Sequence, residues 1–386
     1  MIVGIRILLL AAMVVVPSLA SAQFEVSGLL DIVARNRSAT DVSNLTFKKF
    51  SNYDFIRARI FFDAAASENA SVFTQILIDN DRFHLYGAYV RLSRIGGKSL
   101  NLHAGLIPNT VGYWGPRTYS DKNPLISVPL MYNYHTALNP GADQVSTAQL
   151  FWQRGRGYAR YGWPILYDAC WNTGVELYGA IGSFDWSVAA ISGTLSSPAI
   201  QPEKDMPQFT AKLTCYASSA LSIMLNGFAG PYLSSLESLE ANGAEYEDGY
   251  HSGKSAEDYL NYGGGIGTLF DYGYLEALAE GFWTRWEHPI FGNLDAYSAY
   301  LNLRYKFAPQ WYLAGRIETI RFSQLDFGTG LGEQDWDYPL NRMELGVGYR
   351  LDPSVTLKAV TQIVRCPDFD TLDDETGAIQ MSVAIR

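Results

Sequence analysis

The stretch Ile56-Arg57-Ala58-Arg59-Ile60-Phe61-Phe62-Asp63-Ala64 divides by parity. Ile56, Ala58, Ile60, Phe62 and Ala64 fall on one face, and Arg57, Arg59, Phe61 and Asp63 on the other. A period of two is the signature of an extended strand with one apolar and one polar face. The pattern recurs along the chain. Tyr86, Ala88, Val90 and Leu92 oppose Arg91, and Leu100, Leu102, Ala104 and Leu106 oppose Asn101 and His103. Phe209, Ala211 and Leu213 oppose Lys212, and Leu301, Leu303 and Tyr305 oppose Arg304 and Lys306. Met343, Leu345 and Val347 oppose Arg342, Glu344 and Arg350, and Leu357, Ala359 and Ile363 oppose Lys358 and Gln362.

Composition limits what such strands can build. The 386 residues are 48% hydrophobic and only 18% charged, too apolar for a disordered chain. After the first twenty residues no apolar run reaches the roughly 18 needed for a spanning helix. That excludes a helical membrane protein but not a barrel, whose lipid-facing residues are every second one. Arg6, the apolar run Ile7–Val16 and Ala20-Ser21-Ala22 read as a signal peptide over 1–22, cleaved after Ala22. The mature chain, 23–386, then starts at Gln23 and is exported.

Strand starts fall near residues 24, 54, 71, 83, 99, 172, 184, 207, 220, 260, 273, 295, 311, 338, 354 and 377. Tight turns such as Gly96-Gly97-Lys98 and Asp352-Pro353-Ser354 alternate with longer connections, among them 35–53, 194–206, 230–260, 286–294, 322–337 and 367–376. The expectation is an all-β, up-and-down antiparallel transmembrane β-barrel of about 16 strands in the outer membrane of a Gram-negative cell. The competing fold is a soluble sandwich or propeller, which would alternate as well. Against it stand mid-strand Arg and Lys opposite aliphatic faces. Aromatics also gather at strand ends, as an interfacial girdle would: Phe55, Tyr86, Trp186, Tyr262, Trp283, Trp286, Tyr305, Phe307, Trp311 and Tyr349. A barrel of this size is too wide for wall side chains to fill, so it encloses an aqueous lumen.

The connection at about 107–171 shows almost no alternation and carries twelve aromatics. Loops that long are usually functional or disordered, and disordered loops are poor in aromatics. It is therefore expected to pack against the barrel interior and narrow the passage. The expected lumen and constriction cations are Arg57, Arg59, Arg91, Lys212, Arg304, Arg316 and Arg342 from the wall, and Arg117, Arg154, Arg156 and Arg160 from the long loop. On the expected wall ten cations face seven acids, although the whole chain carries a formal charge of -10. Rings of Arg and Lys favour anions, so the sequence points to a weak anion preference. The equally weighted alternative is a general pore whose Arg and Glu form wall ion pairs. The surplus acid sits in loops such as 231–260, and a pI near 5.0 does not suggest a nucleic-acid partner.

Little points to catalysis. His84, His103, His135, His251 and His288 lie in five separate segments, and no metal, nucleotide or hydrolase motif occurs. No cofactor is expected. Glu276 and Glu280 read as lumen neighbours rather than an acid–base pair. Asp368, Asp370, Asp373, Asp374 and Glu375 lack calcium-loop spacing. Of Cys170, Cys215 and Cys366, one bridge between Cys170 and Cys366 is left open. A barrel enzyme acting on lipid or peptide, or a non-conducting adhesin-like barrel, is the alternative reading.

Several pieces together resemble the phosphate-selective porin O and P group. They are Phe24-Glu25-Val26-Ser27-Gly28-Leu29, Arg57-Ala58-Arg59-Ile60-Phe61-Phe62-Asp63, Leu85-Tyr86-Gly87-Ala88-Tyr89-Val90-Arg91, Leu100-Asn101-Leu102-His103-Ala104-Gly105-Leu106-Ile107-Pro108 and Leu345-Gly346-Val347-Gly348-Tyr349-Arg350. The resemblance implies a sixteen-stranded channel, commonly a homotrimer, passing small polar or anionic solutes through outer-membrane lipid, with one loop folded into the lumen. The chain departs from the pattern at Ser382-Val383-Ala384-Ile385-Arg386, which lacks the usual terminal aromatic. The lysine-rich loop that accompanies phosphate specificity is also not visible.

Overall fold

The computed structural model describes residues 23–36, 56–79, 82–115, 119–138, 146–155, 162–167, 171–199, 205–233, 235–236, 254–330 and 332–385. The expected signal peptide, Phe55, Arg117, Arg156, Arg160, Cys170, His251 and most of the acidic 231–260 segment lie outside these residues. The strands are β1 (Gln23–Arg35), β2 (Ile56–Ser67), β3 (Ala70–Asp79), β4 (Arg82–Leu92), β5 (Leu100–Ile107), β6 (Asn172–Ile181), β7 (Phe184–Ile191), β8 (Gln208–Tyr216) and β9 (Leu221–Pro231). They continue as β10 (Leu260–Tyr272), β11 (Leu275–His288), β12 (Gly292–Lys306), β13 (Trp311–Phe322), β14 (Gln324–Asp326), β15 (Glu333–Asp335), β16 (Leu340–Arg350), β17 (Val355–Arg365) and β18 (Asp374–Ile385).

Sixteen of these close into one antiparallel barrel, each paired with its sequence neighbour, while β14 and β15 form a separate two-stranded hairpin. The seam lies at β1, which sets Asp31 opposite Arg57 of β2 and opposite Ser382 of β18. Closure leaves the barrel strands no open edge, the condition for a sheet in hydrocarbon. Alternation then sorts the side chains. Leu225, Ile266, Leu313, Ile317 and Ile379 are exposed on the outer face. On the opposite parity Arg316, Glu318, Arg342, Glu344, Lys358 and Gln362 are buried, although they are polar.

Something inside the barrel covers them. The chain between β5 and β6 supplies Trp114, Leu125, Ile126, Val128, Leu130, Met131 and Tyr132, none more than 2% exposed. Burying each such aliphatic contributes about 1.5–3 kcal/mol. This segment includes two short helices, α1 (Leu130–Asn133), wholly buried, and α2 (Thr147–Gln153), whose N-terminus is capped by Ser146 accepting from the Gln149 N–H at 3.3 Å.

Three expectations need correction. The connection at 286–294 is not a long loop: β11 runs to His288, β12 starts at Gly292, and the wall is tallest there. The long connection expected at 322–337 is present and carries the β14–β15 hairpin. Tyr86 does not join the outer girdle. The β3–β4 register sets Gln75 opposite Gly87 but Ile76 opposite Leu85, so Tyr86 is the extra residue of a bulge. Its ring sits near Trp171 and the Arg59 guanidinium. Trp286 also points inward, fully buried and edge-on to Trp336.

Candidate functional site

The long connection crosses the lumen and then lies along one arc of its wall. Just after β5, Thr110 meets Thr210 of β8 at 2.6 Å, and the Tyr113 hydroxyl meets Ser222 of β9 at 2.9 Å. The turn needs Gly112, whose φ of 76° puts the backbone in the left-handed region; a Cβ there would run into the Tyr132 hydroxyl. On the far side Tyr119 donates to Gln75 of β3 at 2.9 Å, and the Ser120 hydroxyl donates to Asp31 of β1. The chain then runs back past β17, β16 and β13 toward β11.

Charged wall residues hold this return limb by its backbone. The Lys358 ammonium donates to the carbonyls of Ser120, Asn123 and Leu125 at 2.5, 2.7 and 3.2 Å, and to Gln380 at 3.1 Å. Glu344 accepts the N–H groups of Ile126 and Ser127 at 3.2 and 3.1 Å. Glu318 accepts the Leu130 N–H at 2.6 Å. Glu280 accepts the Tyr113 N–H at 2.7 Å and the hydroxyls of Tyr132 and Tyr300. Each acid thus satisfies loop donors that would otherwise be buried without a partner.

Two of the expected site cations, Arg316 and Arg342, belong to this seating. Arg316 bridges Glu318 at 3.1 Å and Glu344 at 2.6 Å, and Arg342 joins Glu318 at 2.6 Å and the Val128 carbonyl. Both guanidinium groups are sealed from solvent. Arg57 and Arg59 are buried as well, with Arg59 lying 5.2 Å from the Tyr119 ring centroid. Arg304 pairs with Glu276 at 2.9 Å, so Glu276 and Glu280 serve different partners. Arg154 sits at the long-loop end. It bonds the Asp335 carbonyl and Gln334 at 3.1 Å each and stacks among Phe151, Phe327 and Tyr338. Arg117, Arg156 and Arg160 lie outside the described residues.

Two cations differ. Arg91 of β4 and Lys212 of β8 face the lumen, half-buried, and make no hydrogen bond or ion pair within 4.0 Å among the described residues. Arg91 lies 4.7 Å from the centroid of Phe73. Between them on the wall, His103 bonds Glu176 at 2.9 Å. Among the described residues the loop meets this part of the wall, β4 to β8, at Thr110 and Trp171. Sequence reasoning named both residues, but it could not separate them from the arginines that the loop covers.

A second, polar knot ties the loop at the long-loop end. Asp337, between β15 and β16, is fully buried and accepts the N–H groups of Ala137 at 2.7 Å, Gly155 at 2.9 Å and Tyr338 at 2.8 Å. Burial pushes its carboxyl up to about 6, against the pull of those three N–H donors. Cys366 nearby is a buried free thiol, so it does not take part in a bridge.

The chain matches no family model and no curated protein. Solved structures do share its fold. The outer membrane channel DcaP of Acinetobacter baumannii superposes with a TM-score of 0.57 at 13% identity, over 95% of this chain and 98% of that one. An anion-selective porin from Comamonas acidovorans gives 0.56 at 10% identity, over 95% and 100%. OmpF of Salmonella typhi, in complex with daunomycin, gives 0.57 at 9% identity, over 94% and 97%. At such identities the likeness is one of fold: this chain has the barrel architecture of outer-membrane porins.

Proposed function

We propose that the protein is an outer-membrane porin, a water-filled channel for passive diffusion of small polar solutes with a weak anion preference. The observation that carries this reading is a pair of cations on the β4–β8 arc of the closed barrel: Arg91 and Lys212 face the lumen half-buried, with no hydrogen bond or ion pair within 4.0 Å among the described residues. Cations held at a pore wall outside close ion pairs raise the local concentration of anions. The sequence likeness to the phosphate-selective porin group supports a channel rather than a phosphate carrier. Fold relatives that are channels and porins support the same reading. A signal peptide cut after Ala22 would release a chain beginning at Gln23, the first residue of β1. Assembly into homotrimers in outer-membrane lipid fits the fold, one relative of which was solved in a trimer form.

The test is purified protein in a planar bilayer with a KCl gradient. Stable conductance steps and a reversal potential on the chloride side are expected. Cation preference that does not change on Arg91→Gln with Lys212→Gln would remove the anion reading. Absence of steps, with turnover of a lipid or peptide substrate, would replace the channel by an enzyme.

A further inference from the structure

We propose that the lumen wall from β3 to β6 is a binding track for small anions carrying a flat ring, with aromatic monocarboxylates as the class. This rests on the channel reading and narrows it to a solute. The track is a row of rings on four consecutive strands. Phe73 of β3 stacks on Tyr89 of β4 at 5.1 Å, with planes 16° apart. Tyr89 meets His103 of β5 at 4.9 Å, and His103 meets Tyr178 of β6 at 4.5 Å. All four point into the lumen and all are half-buried. Beside the row, Tyr119 of the loop meets Phe61 of β2 at 5.6 Å and donates to Gln75 of β3 at 2.9 Å.

A wall that only had to pass water and ions gains nothing from this. Half-exposed ring faces keep apolar surface in contact with water, at a free-energy cost that a flat solute removes by covering them. Offset and edge contacts between solute ring and wall rings add to that gain. The cations sit on the same row. Arg91 extends over Phe73, and Lys212 lies on β8, two strands beyond Tyr178, through Ser187 of β7. A carboxylate reaching either one gains a charge-assisted hydrogen bond that no protein acid now supplies. Among the acids nearby, Glu176 is held by His103, and Asp185 accepts the Tyr216 hydroxyl at 2.7 Å. Asp63, opposite Phe73, and Glu25, opposite Asp63, lie at the short-turn end close to Arg91, so a ring carboxylate has to approach Arg91 from the Tyr89 side. Ring faces beside unpaired cations fit a molecule with an aromatic ring and one anionic group at its edge.

The experiment uses the full-length barrel in a planar bilayer, first in KCl alone and then with benzoate, acetate, benzylamine, benzyl alcohol or glucose added. Benzoate is expected to interrupt the current at a concentration at least tenfold below that of any of the others. Phe73→Leu with Tyr89→Leu keeps side-chain bulk and should erase at least fivefold of the advantage of benzoate over acetate. Arg91→Gln should erase the advantage of benzoate over benzyl alcohol. Equal interruption of the wild type by benzoate and acetate, or by benzoate and glucose, overturns the track while leaving the channel reading in place. A wild type without conductance steps sinks the channel reading and this inference together.

Discussion

On the arc from β11 to β18, Arg316 and Arg342 point into the lumen and are wholly covered, each bonded to buried carboxylates. On the arc from β4 to β8, Arg91 and Lys212 point into the same lumen, half-exposed, and bond to no acid. Residue type and parity are the same on both sides. What differs is the loop, whose return limb from Ser120 to Leu130 is bonded to the first arc, while the second meets it at Thr110 and Trp171. The covered arc is a seat for a plug, and its charges answer backbone donors and acceptors. The open arc faces solvent, and its charges remain available to a passing solute.

Breaking the covered arc should have the largest effect. Glu344→Gln leaves the buried Arg316 guanidinium short of a counter-charge, and removing one member of a buried pair costs about 3–5 kcal/mol. The expected outcome is a lower unfolding temperature in detergent, followed by heating until the folded band is lost on a gel. Lys358→Met strips three loop carbonyls of their donor. Hydrogen bonds to a charged group contribute about 1.5–3 kcal/mol each before compensation. The loop should lift partly from the wall, seen as higher and noisier single-channel conductance; an unchanged trace would mean that Lys358 does not set the constriction.

The knot at Asp337 gives a pH dependence. Its carboxyl rises from the usual 3.8 to about 6 on folding, so the folded state holds the proton more tightly than the unfolded chain. The associated stability is therefore fully present below about pH 4 and is lost as pH rises through about 6. The shift corresponds to on the order of 3 kcal/mol. Amide exchange at Ala137 and Gly155 should speed up between pH 4 and 7 after correction for intrinsic rates. Asp337→Asn should flatten that slope.

The open arc should respond in selectivity and hardly in stability. Arg91→Gln with Lys212→Gln moves the reversal potential toward cations, with a stability change within about 1 kcal/mol, as for exposed charges. The smallest effect belongs to Asp63→Asn, which should shift the reversal potential slightly the other way. A shift toward cations would contradict the arrangement.

The strands were easy to read because their signal is local. The expected starts at 24, 172, 184, 260 and 311 lie within one residue of the observed ones. The misreadings came where a neighbour overrides the alternation. The bulge at Tyr86 adds one residue and turns its ring inward, and Trp286 is drawn in by Trp336. The site was only half legible. Arg57, Arg59, Arg91, Lys212, Arg304, Arg316 and Arg342 all occupy lumen-side parity, but nothing in parity says which of them water reaches.

From sequence alone come the alternating faces, the number of crossings and the inward direction of the cations, because a two-residue period is decided by adjacent side chains. Which cations are sealed and which stay open is decided only in three dimensions. The contacts that settle it join residues as far apart as Ile126 and Glu344, and no local pattern encodes a meeting across 218 positions. The loop finds its arc because that arc presents buried acids and an ammonium matched to its backbone.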